Sequence, residues 1–161
     1  MKFDFLPESD QAYYIHKAST LVEALPYIRE HAGKTIVIKY GGHAMSTPKL
    51  SDSFSRDIGL MKEIGILPVV VHGGGPQIGD MLKQKNIESK FINGLRVTNK
   101  DTMKVVEEVL TNDINNKIVG AINKTGGKAV GLKGNQNELI EATKLEIQVK
   151  ETDSNIEKYI D

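Results

Sequence analysis

The sequence contains no cysteine, and that absence removes a disulfide scaffold, a thiolate zinc site and a cysteine nucleophile together. It also lacks an excess of charge of either sign. Lys plus Arg and Asp plus Glu number 21 each, so the formal net charge is zero. Such a chain has no bulk attraction for nucleic acid or acidic lipid headgroups, although a local cationic site stays open to it. No apolar run is long enough to span a bilayer. The strongest, Ile64 to Val71, is broken by Gly65 and Pro68. The N-terminus carries Asp4, Glu8 and Asp10 with no apolar core, so neither a secretory signal nor a transit peptide is expected, and the expected location is cytoplasmic. No His-Glu-x-x-His occurs and the four histidines are scattered, so no metal site built on protein ligands is expected.

What is present is an ordinary globular composition. Hydrophobic residues are 39% and charged residues 26% of 161, enough for one domain or one large lobe with a core. Thr20 to Glu23 matches a capping box, predicting a short amphipathic helix to about His31, disturbed at Pro26 and ended by Gly33. The β-branched run Thr35 to Tyr40 predicts a strand, stopped by Gly41 and Gly42. Phe54, Ile58, Met61 and Ile64 recur at helical spacing, predicting a helix over 50–63. A second strand is expected over 66–71, and Pro76 suits the first turn of a helix to about Lys85. Lys90 to Thr98 reads as extended around an Asn93-Gly94 turn. A long helical region over 102–123 follows, capped by Asn99 or Asp101, with interruptions near Asn115 and Gly120. Ala129 to Leu132 reads as a third strand. Leu139–Thr143 and Leu145–Lys150 read as a hairpin, and Ser154 to Asp161 as the start of a helix that stops short, the pattern of a partial chain. Strand, helix, strand, helix, strand predicts an α/β fold: right-handed crossovers and a mainly parallel sheet covered on both faces.

In an open parallel sheet, ligands gather beyond the carboxyl ends of the strands. Two predicted strands run there into glycine clusters, Gly41-Gly42 and Gly73-Gly74-Gly75, each ahead of a helix. Successive main-chain amides and a helix start suit an anion, but glycines also serve tight turns. Named phosphate motifs fail. Gly33-Lys34-Thr35 has Ile28 where a P-loop needs glycine and precedes a strand, and Gly73-x-Gly75 is followed by Ile78 where the dinucleotide fingerprint needs its third glycine. His72-Gly73-Gly74-Gly75 resembles a lipase oxyanion loop, yet no serine has nucleophile-elbow context. By position alone, Lys39 either meets an anion or snorkels to the sheet edge. Arg96 either grips a carboxylate with its planar fork or is a surface residue. His72 either joins the site or bonds the main chain.

Taken together, Ile36-Val37-Ile38-Lys39-Tyr40-Gly41-Gly42-His43-Ala44-Met45, Val69-Val70-Val71-His72-Gly73-Gly74-Gly75-Pro76-Gln77-Ile78 and Asn93-Gly94-Leu95-Arg96-Val97-Thr98, in this order and spacing, closely resemble the acetylglutamate kinases of the amino acid kinase family. The likeness runs from about Thr20 through Ala129–Leu132 and Ser154–Lys158. It implies a three-layer αβα sandwich with a mainly parallel central sheet. Residues 1–33 become an N-terminal extension and helix, and 34–161 the acetylglutamate-binding lobe, with the lobe that holds most of the ATP lying beyond. The implied reaction is ATP-dependent phosphorylation of the side-chain carboxylate of N-acetyl-L-glutamate, in arginine biosynthesis. Lys39 then steadies the transferring phosphoryl group, and Gly41 and Gly42 approach the ATP phosphates. Gly74 and Gly75 give main-chain contacts to acetylglutamate, and Arg96 grips its α-carboxylate. ATP comes with Mg2+, for which no protein-ligand cluster is recognisable.

The family's substrate-binding asparagine, lysine-organising aspartate and second catalytic lysine fall beyond Asp161. In arginine-inhibited relatives an added N-terminal helix joins dimers into hexamers, so the implied assembly is a homo-oligomer, a dimer or a hexamer through that helix. The chain departs from many relatives at Gly131 to Asn137, and Asn93 replaces a common aspartate, a benign exchange in a turn. A second hypothesis, from another class, is a non-catalytic module that keeps the glycine loops and Arg96 but transfers no phosphate. Other kinases of the family share the lysine-glycine opening, but not His72 to Pro76 together with Gly94 to Thr98.

Overall fold

The computed structural model describes residues 7–41, 45 and 47–143. The chain folds as α1 (Glu8–His31), β1 (Thr35–Tyr40), α2 (Pro48–Glu63), β2 (Leu67–His72), α3 (Gly75–Gln84), β3 (Phe91–Ile92), β4 (Leu95–Arg96), α4 (Lys100–Glu107), a π-helical segment (Glu108–Ile114) and α5 (Asn115–Lys124). β1 and β2 pair in parallel with α2 as their crossover, Thr35 opposite Leu67 and Tyr40 opposite His72. This is an α/β fold, and its parallel pair is the frame of the candidate site.

Side chains alternate across the strands, and the two faces meet different surroundings. Ile36, Ile38, Tyr40, Pro68, Val70 and His72 face inward, where the buried Tyr40 ring stacks on Phe54 of α2, centroids 3.8 Å apart. Val37, Lys39, Leu67, Val69 and Val71 are exposed, Val37 by 66%. Among the described residues the only crossover, α2, covers one side of the pair. Pro68 is accommodated inside β2, opposite Ile36.

α1 is longer than its pattern predicts. Thr20 is not a cap: it lies mid-helix, and its hydroxyl donates to the His16 carbonyl at 3.0 Å, the local alternative open to threonine in a helix. The helix also runs on through Pro26, where only the N–H aimed at the Val22 carbonyl is missing. Nor is it amphipathic, since Tyr13, Tyr14, Ile15, Leu21, Val22, Leu25 and Tyr27 are all more than half exposed. It ends as expected at Gly33, which takes φ +79° and donates to the Gly65 carbonyl at 2.8 Å.

The core gathers Ile78 and Leu82 of α3, Val105 of α4, and Val109 and Ile114 of the π-helical segment. Asn99 caps α4, its side-chain oxygen accepting from the Thr102 amide at 2.9 Å. The interruption expected near Asn115 is the π-helical segment, which ends there. Its reason lies in the packing. Residues five apart sit about 140° around an α-helix from one another, whereas wider i→i+5 turns bring them nearer one face. Val109 and Ile114, five apart, are both buried in the core. Lys85, just past α3, pairs with Glu108 at 2.6 Å and ties the two pieces at the surface.

Ala129–Leu132 is not a strand. Its main chain is taken by side chains instead: Asn123 Oδ1 accepts from the Ala129 amide at 2.6 Å, and Asn115 Nδ2 donates to the Leu132 carbonyl at 3.3 Å. Residues 139–143 form no strand either, and the other half of that expected hairpin, like the helix expected from Ser154, lies outside the described residues.

Candidate functional site

β1 and β2 end side by side, and a hydrogen bond from the Gly73 amide to the Tyr40 carbonyl, 2.9 Å, locks the start of the second glycine loop to the end of the first strand. Lys39 is the register partner of Val71, so its Cα stands one step from that joint. It projects from the exposed face, and the expectation that it ends a buried strand is corrected. Exposed as it is, its ammonium needs no partner to offset burial.

The glycine loops divide by the space around them. Gly74 is buried, and a Cβ there falls 2.6 Å from both Ile114 Cδ1 and Leu110 Cδ2, so this residue is glycine because the loop rests on the π-helical segment. Gly41 and Gly75 have nothing within 4 Å of a Cβ, and neither has positive φ. Among the described residues neither packing nor conformation demands glycine there. What remains is access, since a main chain without a side chain allows close approach from outside. Gly42 lies outside the described residues.

Gly75 opens α3 with Pro76 behind it, a residue with no N–H to leave unpaired in a first turn, and the Ile78 amide donates back to the Gly74 carbonyl at 2.9 Å. Arg96 arrives from the β3–β4 hairpin, whose Asn93 and Gly94 have φ +50° and +80°, the two-residue turn expected from the dipeptide. Its Nη2 lies 3.4 Å from the Gly75 carbonyl, its Nη1 donates to Ser89 Oγ, and Cζ stands 4.6 Å from the Phe91 ring centre. Arg96 and the triglycine bend thus meet beyond the end of the parallel pair, and Lys39 stands one residue before that end of β1.

His72 takes the main-chain role. It points to the covered side, with Nδ1 3.0 Å from the Gly73 carbonyl and Nε2 3.5 Å from Asn115 Nδ2. Sequence reasoning missed Ser89, Phe91 and Asn115. The turn dipeptide already set the register that places Phe91 opposite Arg96, whereas nothing local marks Asn115. Cavities of about 420 and 270 Å3, the first between α2 and α5 and the second beside the π-helical segment, include none of these residues in their linings. The site is an open shelf. Among the described residues no three acidic or histidine side chains gather in a group fit for a metal ion.

A parallel pair whose strands end in glycine loops, with a lysine on one and a helix start after the other, has a counterpart in one family. Residues 34–160 match the amino acid kinase family, and the chain belongs to that family.

Over 148 residues, 92% of this chain, it is 55% identical to the acetylglutamate kinase of Rhodospirillum centenum, and over the same span 56% identical to that of Rhodospirillum rubrum. It is 57% identical over 143 residues, 89% of this chain, to the acetylglutamate kinase of Citrifermentans bemidjiense. The chain spans about half the length of these curated relatives, 48% of the first two and 49% of the third. Among solved structures it is similar to smu.665 from Streptococcus mutans, 35% identical with a TM-score of 0.57 over 63% of this chain and 40% of that one. It shares its fold with an N-acetylglutamate synthase from Neisseria gonorrhoeae, 23% identical with a TM-score of 0.58 over 67% of this chain and 25% of that one.

Proposed function

We propose that this chain is the acetylglutamate-binding part of an acetylglutamate kinase, which transfers the γ-phosphoryl group of ATP to the side-chain carboxylate of N-acetyl-L-glutamate and yields N-acetyl-glutamyl 5-phosphate for arginine biosynthesis. In this reading residues 1–33 are an extension and 34–161 the substrate lobe. The observation that carries it is the meeting of Arg96 with the triglycine bend, 3.4 Å from Nη2 to the Gly75 carbonyl. A planar cationic fork beside the exposed main chain of Gly75 suits a small molecule with a carboxylate at one end and an amide at the other. The names of the relatives supply the substrate.

The chemistry needs little more than placement and charge. A carboxylate nucleophile is ionised at neutral pH, so no general base is required. The obstacle is the approach of two anions, and phosphoryl transfer is assisted by positioning and electrostatic stabilisation. Arg96 holds the α-carboxylate and the Gly74 and Gly75 amides orient the rest. Lys39, free on the exposed face, neutralises charge on the group in transit, and Gly41 and Gly42 let phosphate oxygens reach the main chain. The described residues offer no carboxylate cluster for Mg2+, and no step is assigned to that ion. A cytoplasmic enzyme that assembles as a homo-oligomer accompanies this reading. The exposed apolar side chains of α1 suit a helix that pairs with another copy.

Calorimetric titration of the chain with N-acetyl-L-glutamate and with ATP, separately, tests the proposal. The expected result is saturable acetylglutamate binding that Arg96→Ala weakens at least tenfold. Absence of that binding, or an Arg96→Ala variant equal to the parent, overturns it. Acetylglutamate binding with little ATP binding fits the substrate lobe, and no phosphoryl transfer once an ATP-binding lobe is joined to it favours the non-catalytic module instead.

A further inference from the structure

Arg96 is held from three sides. Nη1 donates to Ser89 Oγ, Nη2 faces the Gly75 carbonyl at 3.4 Å, and the guanidinium carbon stands 4.6 Å from the centre of the Phe91 ring. The hairpin register produces two of these contacts. Phe91 and Arg96 are direct cross-strand partners, the pair that interacts across two antiparallel strands. Ser89 precedes Phe91 by two residues, so an extended chain puts both on one side. The Val97 amide donates to the Lys90 carbonyl at 2.9 Å and continues the pairing toward Ser89. Phe91 is 58% exposed, so its ring adds little to the core. A large ring left in water with a cation over its face is accounted for by that stacking.

We propose that Ser89 and Phe91 are positioning residues that fix the plane of the Arg96 guanidinium for two-pronged recognition of a ligand carboxylate. The inference rests on the acetylglutamate reading and deepens it: the carboxylate is the one on the α-carbon. A guanidinium carries five N–H donors. One is taken by Ser89 and one is directed at Gly75, which leaves three, enough for two parallel bonds to a carboxylate. Because stacking and the serine already restrain the side chain, less freedom is lost when the anion arrives.

The test titrates the 161-residue chain with N-acetyl-L-glutamate and, in parallel, with 4-acetamidobutanoate, the same molecule without its α-carboxylate. Ser89→Ala is expected to weaken acetylglutamate binding about tenfold, the effect of losing a hydrogen bond to a charged group. Phe91→Leu is expected to weaken it about threefold. Binding of 4-acetamidobutanoate stays at the parent level in both, and Ser89→Thr and Phe91→Tyr restore the parent affinity. Equal losses for both ligands, or none for either, overturn the proposal. A ligand-free readout separates it from the wider functional reading: the Nε–H nuclear magnetic resonance of Arg96, ordered in the parent, becomes mobile in Ser89→Ala and Phe91→Leu. If the parent chain does not bind N-acetyl-L-glutamate, the substrate assignment fails. The arginine resonance then decides alone, with mobility in the variants supporting the positioning role and an unchanged signal overturning it.

Discussion

Alanine at Gly74 and alanine at Gly75 add the same methyl group to adjacent residues, and the structure assigns them opposite effects. At Gly74 the new carbon lies 2.6 Å from Ile114 Cδ1 and from Leu110 Cδ2, about 1 Å inside the ordinary carbon–carbon separation of roughly 3.5–4.0 Å. The backbone itself is no obstacle, since φ is 178°. Ile114 belongs to the core, so relief requires shifting packed side chains. Overpacking of this kind destabilises by about 1–3 kcal/mol, offset by about 0.4–1 kcal/mol from the stiffer unfolded chain. The net is a destabilisation of up to about 2.6 kcal/mol, a melting temperature lower by up to about 10 °C in a chain of this size. At Gly75 nothing lies within 4 Å, and only the unfolded-state term acts, raising the melting temperature by about 1–4 °C. In the proposed reading the same methyl stands in the ligand's way, so Gly75→Ala is expected to be more stable and to bind N-acetyl-L-glutamate at least tenfold more weakly. Differential scanning calorimetry and titration on the two variants measure both. Melting shifts of the same sign, or full binding by Gly75→Ala, refute the division of the loop into a packed and an accessible glycine.

Lys39→Ala removes a free cation from the exposed face. In an enzyme that carries both lobes it is expected to lower the rate of phosphoryl transfer about 100- to 1,000-fold, in the range of a lost transition-state donor, and to leave acetylglutamate affinity within about twofold, read from initial rates of ADP release and from calorimetry. Arg96→Lys keeps the charge but loses the fork, so its acetylglutamate affinity falls between those of the parent and Arg96→Ala in the same titration. Asn99→Ala removes the acceptor of the Thr102 amide and is expected to destabilise the fold by about 1 kcal/mol in urea unfolding, with ligand affinity unchanged.

Much of the arrangement was legible along the chain because it is set within a few residues. The β-branched run Thr35–Tyr40 forms the strand it predicts, Asn93-Gly94 takes the positive φ angles its composition favours, and Asn99 caps the helix it precedes. The glycine loops fall at the strand ends for the same local reason. Other elements departed from their patterns where more distant groups intervened. Thr20 has a capping sequence, yet helix on its N-terminal side absorbs it. Ala129–Leu132 has strand propensity, but Asn123 and Asn115 occupy its main chain. Lys39 reads as the end of a buried strand, and it is exposed because the described helices cover only one face.

Local propensity, turn chemistry and capping therefore determined which residues of this chain become strand, loop and helix, since each depends on neighbours a few positions away. Packing decided which of them meet. Gly75 and Arg96 are 21 positions apart, and no local preference brings them together. They meet because α3 and the π-helical segment share one buried core, while the exposed hairpin reaches the start of α3 through the Arg96 side chain. The difference between Gly74 and Gly75, invisible in a run of three identical residues, arises from the same contact.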